Sequence, residues 1–413
     1  MKYKLKEFLE FNPKETLPKG RVAKKIPMEF LNSFSRDILK WENEVYSGGA
    51  KFRNDDTIMA RITPCLENGK RAKINILDDG EIAFGSTEYI VFRSKPGISD
   101  PDFIYYLICS DLIRNPAIKS MVGSSGRQRV QVDVLENLEL ELPDINLQRK
   151  IGIILKVLDD KIILNTRINN NLEQQAQALF KSWFVDFEPF GGKMPSDWKE
   201  YKLDDLTSKF GTGLNPRKNF VLGHGNNYYV TIKNMANNRI YLDDRCDKID
   251  DEAILKINKR SKLQRGDLLF SGIGTIGRVA LITENPTNWN TSESVFNMHP
   301  CENISSEFLY VLLLSEQFQS YVNVHKQGGV QQGIRMASLK DFKISLPSYN
   351  VIHSFDNLIV PMISTIKNKE KENDNLAQLR DTLLPKLMSG EIDVSKVNVD
   401  DLTLVDKLSF TKE

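Results

Sequence analysis

Asn171-Leu172-Glu173-Gln174, running on to Leu179-Phe180-Lys181, returns 204 residues downstream (375 − 171) as Asn375-Leu376-Ala377-Gln378, running on to Leu383-Leu384-Pro385. The same offset carries Leu142-Pro143 onto Leu346-Pro347 and Ile162 onto Ile366. Further upstream, Phe103-Ile104-Tyr105 matches Phe308-Leu309-Tyr310, and Tyr3-Lys4-Leu5 matches Tyr201-Lys202-Leu203. The chain therefore holds two copies of one unit, each a globular segment followed by a helical stretch. Such a chain has a pseudo-twofold internal repeat, an arrangement suited to a ligand with two half-sites.

Within the repeated stretches, Ile151, Ile154, Leu158, Ile162, Ile168, Leu172 and Leu179 recur every three or four residues, as the seam of a coiled coil does. The second stripe holds Ile359, Met362, Ile366, Leu376, Leu379 and Leu383. Asn165, Lys369 and Asn373 interrupt the two stripes, and polar residues on a seam fix register and partner choice. Each stretch is about 38 residues, roughly 57 Å of helix at 1.5 Å per residue. Two such helices pack most simply against each other, antiparallel; the alternative is that each packs on its own globular segment. The expected fold is α+β: two similar domains of mixed α/β content with short strands, separated by two long helices in an antiparallel coiled coil. The expected boundaries are a first domain at 1–145, a helical region and linker at 146–190, a second domain at 191–349, a second helical region at 350–390, and a tail at 391–413 that docks on the first unit or folds weakly.

Strand signals fall at Thr57–Ile62, Ala72–Leu77 and Glu88–Phe92, with turns at Asn68-Gly69, Asp79-Gly80 and Gly85-Ser86. A helix is expected over Pro101–Ile113, capped by Ser99 or Asp100. A net charge of +1 does not by itself point to nucleic acid. Four separate cysteines, with no C-x-x-C pair, read as reduced thiols. The start of the chain has no apolar signal segment, and the longest apolar run, Phe308–Leu314, is too short to span a membrane. A cytoplasmic location is expected.

The candidates for chemistry dissolve on reading. Gly272-Ile273-Gly274-Thr275-Ile276-Gly277 spells a dinucleotide fingerprint, but strand-forming Arg278-Val279-Ala280-Leu281 follows where a helix should open. Glu200-Tyr201-Lys202 is a charged triplet without a spaced upstream partner, and the four histidines lack ligand spacing. No metal site is expected. The Asn-Pro-Pro-aromatic run of an adenine methyltransferase is missing.

What remains is a set of glycine-flanked polar loops present in both halves. Met121–Gln131 corresponds to Gln327–Arg335, Arg61–Arg71 to Ser271–Arg278, and Gly85–Glu88 to Asn290–Glu293. Arginine and glutamine carry the donor forks that read guanine and adenine edges, and glycine lets backbone approach a phosphate. Candidate DNA contacts in the first half are Arg61, Thr63, Asn68, Lys70, Ser86, Thr87, Arg127, Gln128 and Arg129. In the second they are Ser271, Thr275, Arg278, Thr291, Lys326, Gln331, Gln332 and Arg335.

With Asp56–Lys70, Ala83–Glu88, Leu142-Pro143 leading into Gln148-Arg149-Lys150-Ile151, Pro195–Trp198 and Gly266–Phe270, the chain resembles the specificity subunit of Type I restriction–modification enzymes over essentially its whole length. Ser348-Tyr349-Asn350 after Pro347, and Pro361 and Pro385 within the second helix, depart from that pattern and question the helix's continuity. The resemblance implies that each domain reads one part of a split DNA target while the helices set the gap. It also implies that the chain is not an enzyme and binds no cofactor. Two modification subunits carrying S-adenosylmethionine, and two restriction subunits using ATP and Mg, would act around it. The alternatives are a DNA-modifying enzyme with a degenerate site, and a coiled-coil rod carrying repeated ligand-binding domains.

Overall fold

A computed structural model describes residues 1–329 and 332–399. The chain forms two compact units: one of residues 1–166 with the segment from 371 onward, the other of residues 167–370. Both cuts fall inside the long helices, which span Ile145–Phe184 and Tyr349–Met388, 40 residues each. The second helix runs through Pro361 and Pro385 without a break.

In the first unit, strands Leu9–Phe11, Tyr89–Ser94, Thr57–Ala60 and Arg71–Lys73 make one four-stranded sheet in that order. A second sheet orders Glu42–Val45, Val22–Ile26, Ala83–Gly85 and Lys51–Phe52. Lys2–Lys4 pairs antiparallel with Glu139–Glu141. The second unit repeats this plan. Thr207–Thr212, Val295–Pro300, Leu268–Ser271 and Val279–Leu281 form its four-stranded sheet, and Lys199–Lys202 pairs with Lys343–Leu346. Its other sheet keeps three strands, Asp247–Ile249, Asn227–Val230 and Trp289–Thr291. An 11-residue helix, Asp251–Ser261, stands in the second unit between strands whose first-unit counterparts are joined without one.

The expected helix over Pro101–Ile113 is two helices, Pro101–Cys109 and Asp111–Lys119. Asp100 caps the first by accepting from Asp102 N and Phe103 N, and Ser110 breaks the pair in extended conformation while its hydroxyl donates to Leu107 O. Ser315 plays the same part between Ser306–Leu314 and Glu316–His325.

Each core takes one end of both long helices. In the second unit, Phe180 and Phe184 from the first helix meet Phe355 and Ile359 from the second, over Phe308. In the first unit, Ile151 and Leu155 join Leu387 and Met388 over Phe103 and Ile104. The pairing is antiparallel within each unit. Asp159 contacts Arg380 and Asn165 contacts Asn373 in the first, while Asn169 lies by Ile366 and Phe184 by Phe355 in the second. The described tail docks on the first unit, with Val394 buried beside Leu387 and with Ile392 and Val397 against the same core. Residues 400–413 lie outside the described residues.

The seam departs from its expected composition. Ile151, Ile359 and Ile366 are buried, but Ile154, Leu158, Ile162, Ile168, Leu172, Leu179, Met362, Leu376 and Leu383 are only half-buried, and Leu379 is 47% exposed. The buried line of the first helix is Leu155, Asp159 and Asn165 in the first unit, and Asn169, Ala176 and Phe180 in the second, where the other helix buries Ile352, Phe355, Ile359, Ile363 and Ile366. The periodicity already places Asn165, Ala176, Phe355, Ile359 and Ile366 on the stripes; it passes over Leu155, Asp159 and Asn169, two of which are polar and bonded across the helices. Asn165 Nδ2 donates to Asn373 Oδ1 at 2.9 Å and to Glu372 Oε2 at 2.9 Å. Asp159 accepts from Tyr106 Oη at 2.7 Å and from Arg380 Nη1 at 2.6 Å.

Arg380→Met leaves Asp159 buried without its cation, which is expected to cost about 3–5 kcal/mol in urea denaturation of the first unit. The double variant with Asp159→Leu should be destabilised clearly less than the two single variants' effects summed.

Candidate nucleic-acid interface

In the first unit three separate loops meet through their backbones. Arg61 N donates to Glu88 O at 2.9 Å, Val130 N to Arg61 O at 2.9 Å, and Thr63 N to Gln128 O at 3.0 Å. Val122 and Arg129 exchange both backbone hydrogen bonds and close the last loop. The second unit builds the same frame. Gly272 N donates to Ser294 O at 2.9 Å, Ile334 N to Gly272 O at 2.8 Å, and Gly274 N to Gln332 O at 2.7 Å. Gln327 and Gly333 exchange the closing pair. Val130 and Ile334, the apolar pegs of the two frames, are both buried.

On this common frame the side chains differ. Where the first copy has Arg61, Thr63 and Arg129, the second has Gly272, Gly274 and Gly333. Arg129 grips Glu88 through Nε at 3.0 Å and Nη2 at 2.7 Å, and that hydrogen bond with the carboxylate's charge raises the guanidinium's pKa. Arg61 Nε stands 4.0 Å from the same carboxylate. Glu88 is thus the organising residue of the first cluster, and its place in a Gly-Ser-Thr-Glu turn was the only sequence signal for it. In the second copy Ser294, not Glu293, takes the place of Glu88, so the expected match of 85–88 to 290–293 shifts by one residue; Glu293 beside it accepts from Tyr229 Oη at 3.3 Å and Asn215 Nδ2 at 2.5 Å.

The literal G-x-G-x-x-G is a hairpin, with Leu268–Ser271 antiparallel to Val279–Leu281. Gly274 and Gly277 have φ of +77° and +94°, and a Cβ on Gly272 would lie 2.6 Å from the Phe296 ring, so each glycine has a packing or backbone reason.

Of the expected site residues, Asn68, Thr87, Arg127 and Arg129 are exposed in the first unit and Gln128 is half-buried. Thr63, Ser86 and Lys70 are engaged in the frame. The Thr63 hydroxyl accepts from Gln128 N, the Ser86 hydroxyl accepts from Glu88 N, and Lys70 Nζ donates to Met28 O at 2.7 Å. In the second unit Thr275, Lys326, Gln332 and Arg335 are exposed. Ser271 and Thr291 are fully buried, which corrects their placement on a recognition surface. The Ser271 hydroxyl donates to Thr275 O and accepts from Arg278 N, so it shapes the hairpin. The Arg278 guanidinium points inward and donates to Ile232 O at 3.0 Å and to Met235 O. A polar, glycine-rich context hid this difference, because capping a turn and facing a ligand use the same residue types. Gln331 lies outside the described residues.

Residues 1–174 and 195–379 match the family described as Type I restriction modification DNA specificity domain. The chain belongs to that family. It is 26% identical over 378 residues to the Type I restriction enzyme HindI specificity subunit of Haemophilus influenzae, covering 74% of this chain and 81% of that one. It is 23% identical over 308 residues to the MjaIX specificity subunit of Methanocaldococcus jannaschii, covering 72% and 70%. In fold it is similar to the crystal structure of a Type I restriction–modification S subunit from M. genitalium, with a TM-score of 0.54 and 14% identity over 94% of this chain and 96% of that one. DNA sequence recognition within a Type I restriction–modification system is the role that goes with this family. Among the described residues no helix is long and apolar enough to cross a membrane.

Arg278→Met should therefore act on folding. Removing its bonds to two backbone carbonyls is expected to destabilise the second unit by about 1–3 kcal/mol, read as a lowered thermal midpoint.

Proposed function

We propose that each specificity domain reads one half of a bipartite DNA target, and that the chain itself catalyses nothing. Support comes from one observation above all: the same backbone frame is built twice and dressed with different side chains, as expected for reading two different half-sites. In the first domain Asn68, Thr87, Arg127, Gln128 and Arg129 meet DNA, with Glu88 orienting Arg129. In the second Thr275, Lys326, Gln332 and Arg335 do so, and Gln331 belongs to the same loop. Arg61, Thr63, Lys70 and Ser86 hold the first frame, as Ser271, Arg278 and Thr291 hold the second.

Chemistry falls to partners in the cytoplasm. Two modification subunits carry S-adenosylmethionine and methylate adenine, and two restriction subunits, where present, use ATP and Mg. No cofactor is assigned to this chain. Co-expression with a modification subunit, followed by sequencing for methylated adenines, should reveal a split motif. Absence of any motif, or DNA modification by the purified chain alone, would sink the reading.

Arg127→Ala and Arg335→Ala are expected to relax the methylated motif at one position each, in different half-sites. Discrimination should fall by about 1–3 kcal/mol, with the other half-site unchanged.

A further inference from the structure

A short 3-10 turn follows a strand of the second sheet at the same place in both copies. Met28–Phe30 follows Val22–Ile26, and 204 residues later (232 − 28) Ile232–Asn234 follows Asn227–Val230. Both strands pair in parallel, with Ala83–Gly85 in the first unit and with Trp289–Thr291 in the second. The segment after each turn touches the hairpin of the recognition frame on one side and long helix on the other.

In the first unit Phe34 N donates to Gly69 O at 3.0 Å and Lys73 N to Arg36 O at 2.9 Å, so the segment lies along the hairpin that carries Arg61 and Thr63. Arg36, only 6% exposed, pairs through Nη2 with Asp160 and donates from Nη1 to Lys156 O at 3.4 Å, both on the first long helix. In the second unit the Arg278 bonds to Ile232 O and Met235 O join the hairpin to the segment. The chain then turns at Asn237-Asn238, both with positive φ, between the paired strands Met235–Ala236 and Arg239–Ile240. From this turn Arg239 Nε stands 3.4 Å from Glu370 Oε2, and Lys367 Nζ donates to Asn238 O at 3.4 Å. Asn238 Nδ2 donates to Glu173 Oε1 at 3.4 Å, so the turn meets the second unit's stretches of both long helices. The hairpin glycines match as well: a Cβ on Gly69 would lie 2.6 Å from the Phe34 ring, and one on Gly274 2.6 Å from Ile232 Cδ1.

Different residues, bonded to different helices, thus make the same three-part contact. Adding one base pair to a DNA gap moves a half-site by about 3.4 Å and turns it by about 35° around the duplex. A reader that enforces a gap must therefore keep its hairpins from tilting on the helices that carry them.

We propose that the arginine–carboxylate braces Arg36–Asp160 and Arg239–Glu370 are positioning elements that hold each recognition hairpin in one orientation on its helix, and so set how strictly the gap between half-sites is enforced. The inference rests on the split-target reading proposed above and names residues that act on spacing without touching DNA.

The test uses the chain assembled with its modification subunits. Methylation is compared on duplexes with the chain's own motif, with its gap changed by one base pair, and with one base changed in the second half-site. In Arg239→Gln the preference for the correct gap should fall by about tenfold, the scale of one charged hydrogen bond, while the preference for the correct base stays. Glu370→Gln should do the same, and the double variant should be no worse than either single, since both remove one contact. Asn238→Gly keeps the turn, because glycine accepts positive φ, and loses the bond to Glu173, so it should loosen the gap even if Arg239→Gln fails to assemble. An unchanged gap preference in these variants overturns the proposal, whatever happens to thermal stability. So does a lost base preference at unchanged gap preference, which would make the brace a shaper of the loops. Failure of the split-target reading would show separately, as a wild-type complex that methylates no bipartite motif.

Discussion

Phe184 has its ring 4.9 Å from Phe355 and 5.4 Å from Phe308, and the rest of the second unit is organised around that meeting of three chain segments. The first helix ends there, the second begins there, and the domain helix Ser306–Leu314 passes beneath. The first unit is closed by the mirror arrangement, with Leu387 and Met388 over Phe103 and Ile151. Neither globular segment completes its core with its own helix alone. Each borrows the far end of the other copy's helix, so the antiparallel pairing is a folding requirement of both units.

The polar residues of the seam follow from this. An all-leucine seam would tolerate several registers, whereas Asn165 opposite Asn373 and Asp159 opposite Arg380 are satisfied in one alignment. Their burial costs desolvation, which the cross-helix bonds offset only when the helices are correctly set. Tyr106 donating to Asp159 extends the constraint to the globular segment, so its orientation on the helix pair is held by the same carboxylate.

The recognition frame shows a division of labour between backbone and side chain. Backbone hydrogen bonds hold three loops together identically in both units, which frees the side chains on the outer face to diverge. Arginine at 61 and 129 in one copy, glycine at 272 and 333 in the other, sit on frames with the same donors and acceptors. A neutral overall charge is compatible with DNA recognition because the cations are unevenly used. Some are held in structural ion pairs such as Arg36 with Asp37 and Arg93 with Asp56, while others, such as Arg127 and Arg335, stand exposed on the loops of the frame.

The repeat, the two long helices, the recurring loops and the family resemblance were all legible in the residues, because periodicity and offset are properties of order along the chain. The hairpin nature of Gly272–Gly277 was legible too, from the strand-forming residues after it. Ser271, Thr291 and Arg278 could not be told from surface residues, since burial depends on what packs over a side chain and not on its type. Asn165 was legible as a polar seam position, but Leu158, Ile168 and Leu379 were placed on the seam where Asp159 is the buried residue, because Asp159 is buried only through partners distant in sequence, Tyr106 and Arg380. Sequence order alone determined that there are two readers on two helices. Only the tertiary structure decided which polar groups hold the frame and which face outward, because hydrogen-bond partners are chosen by three-dimensional proximity.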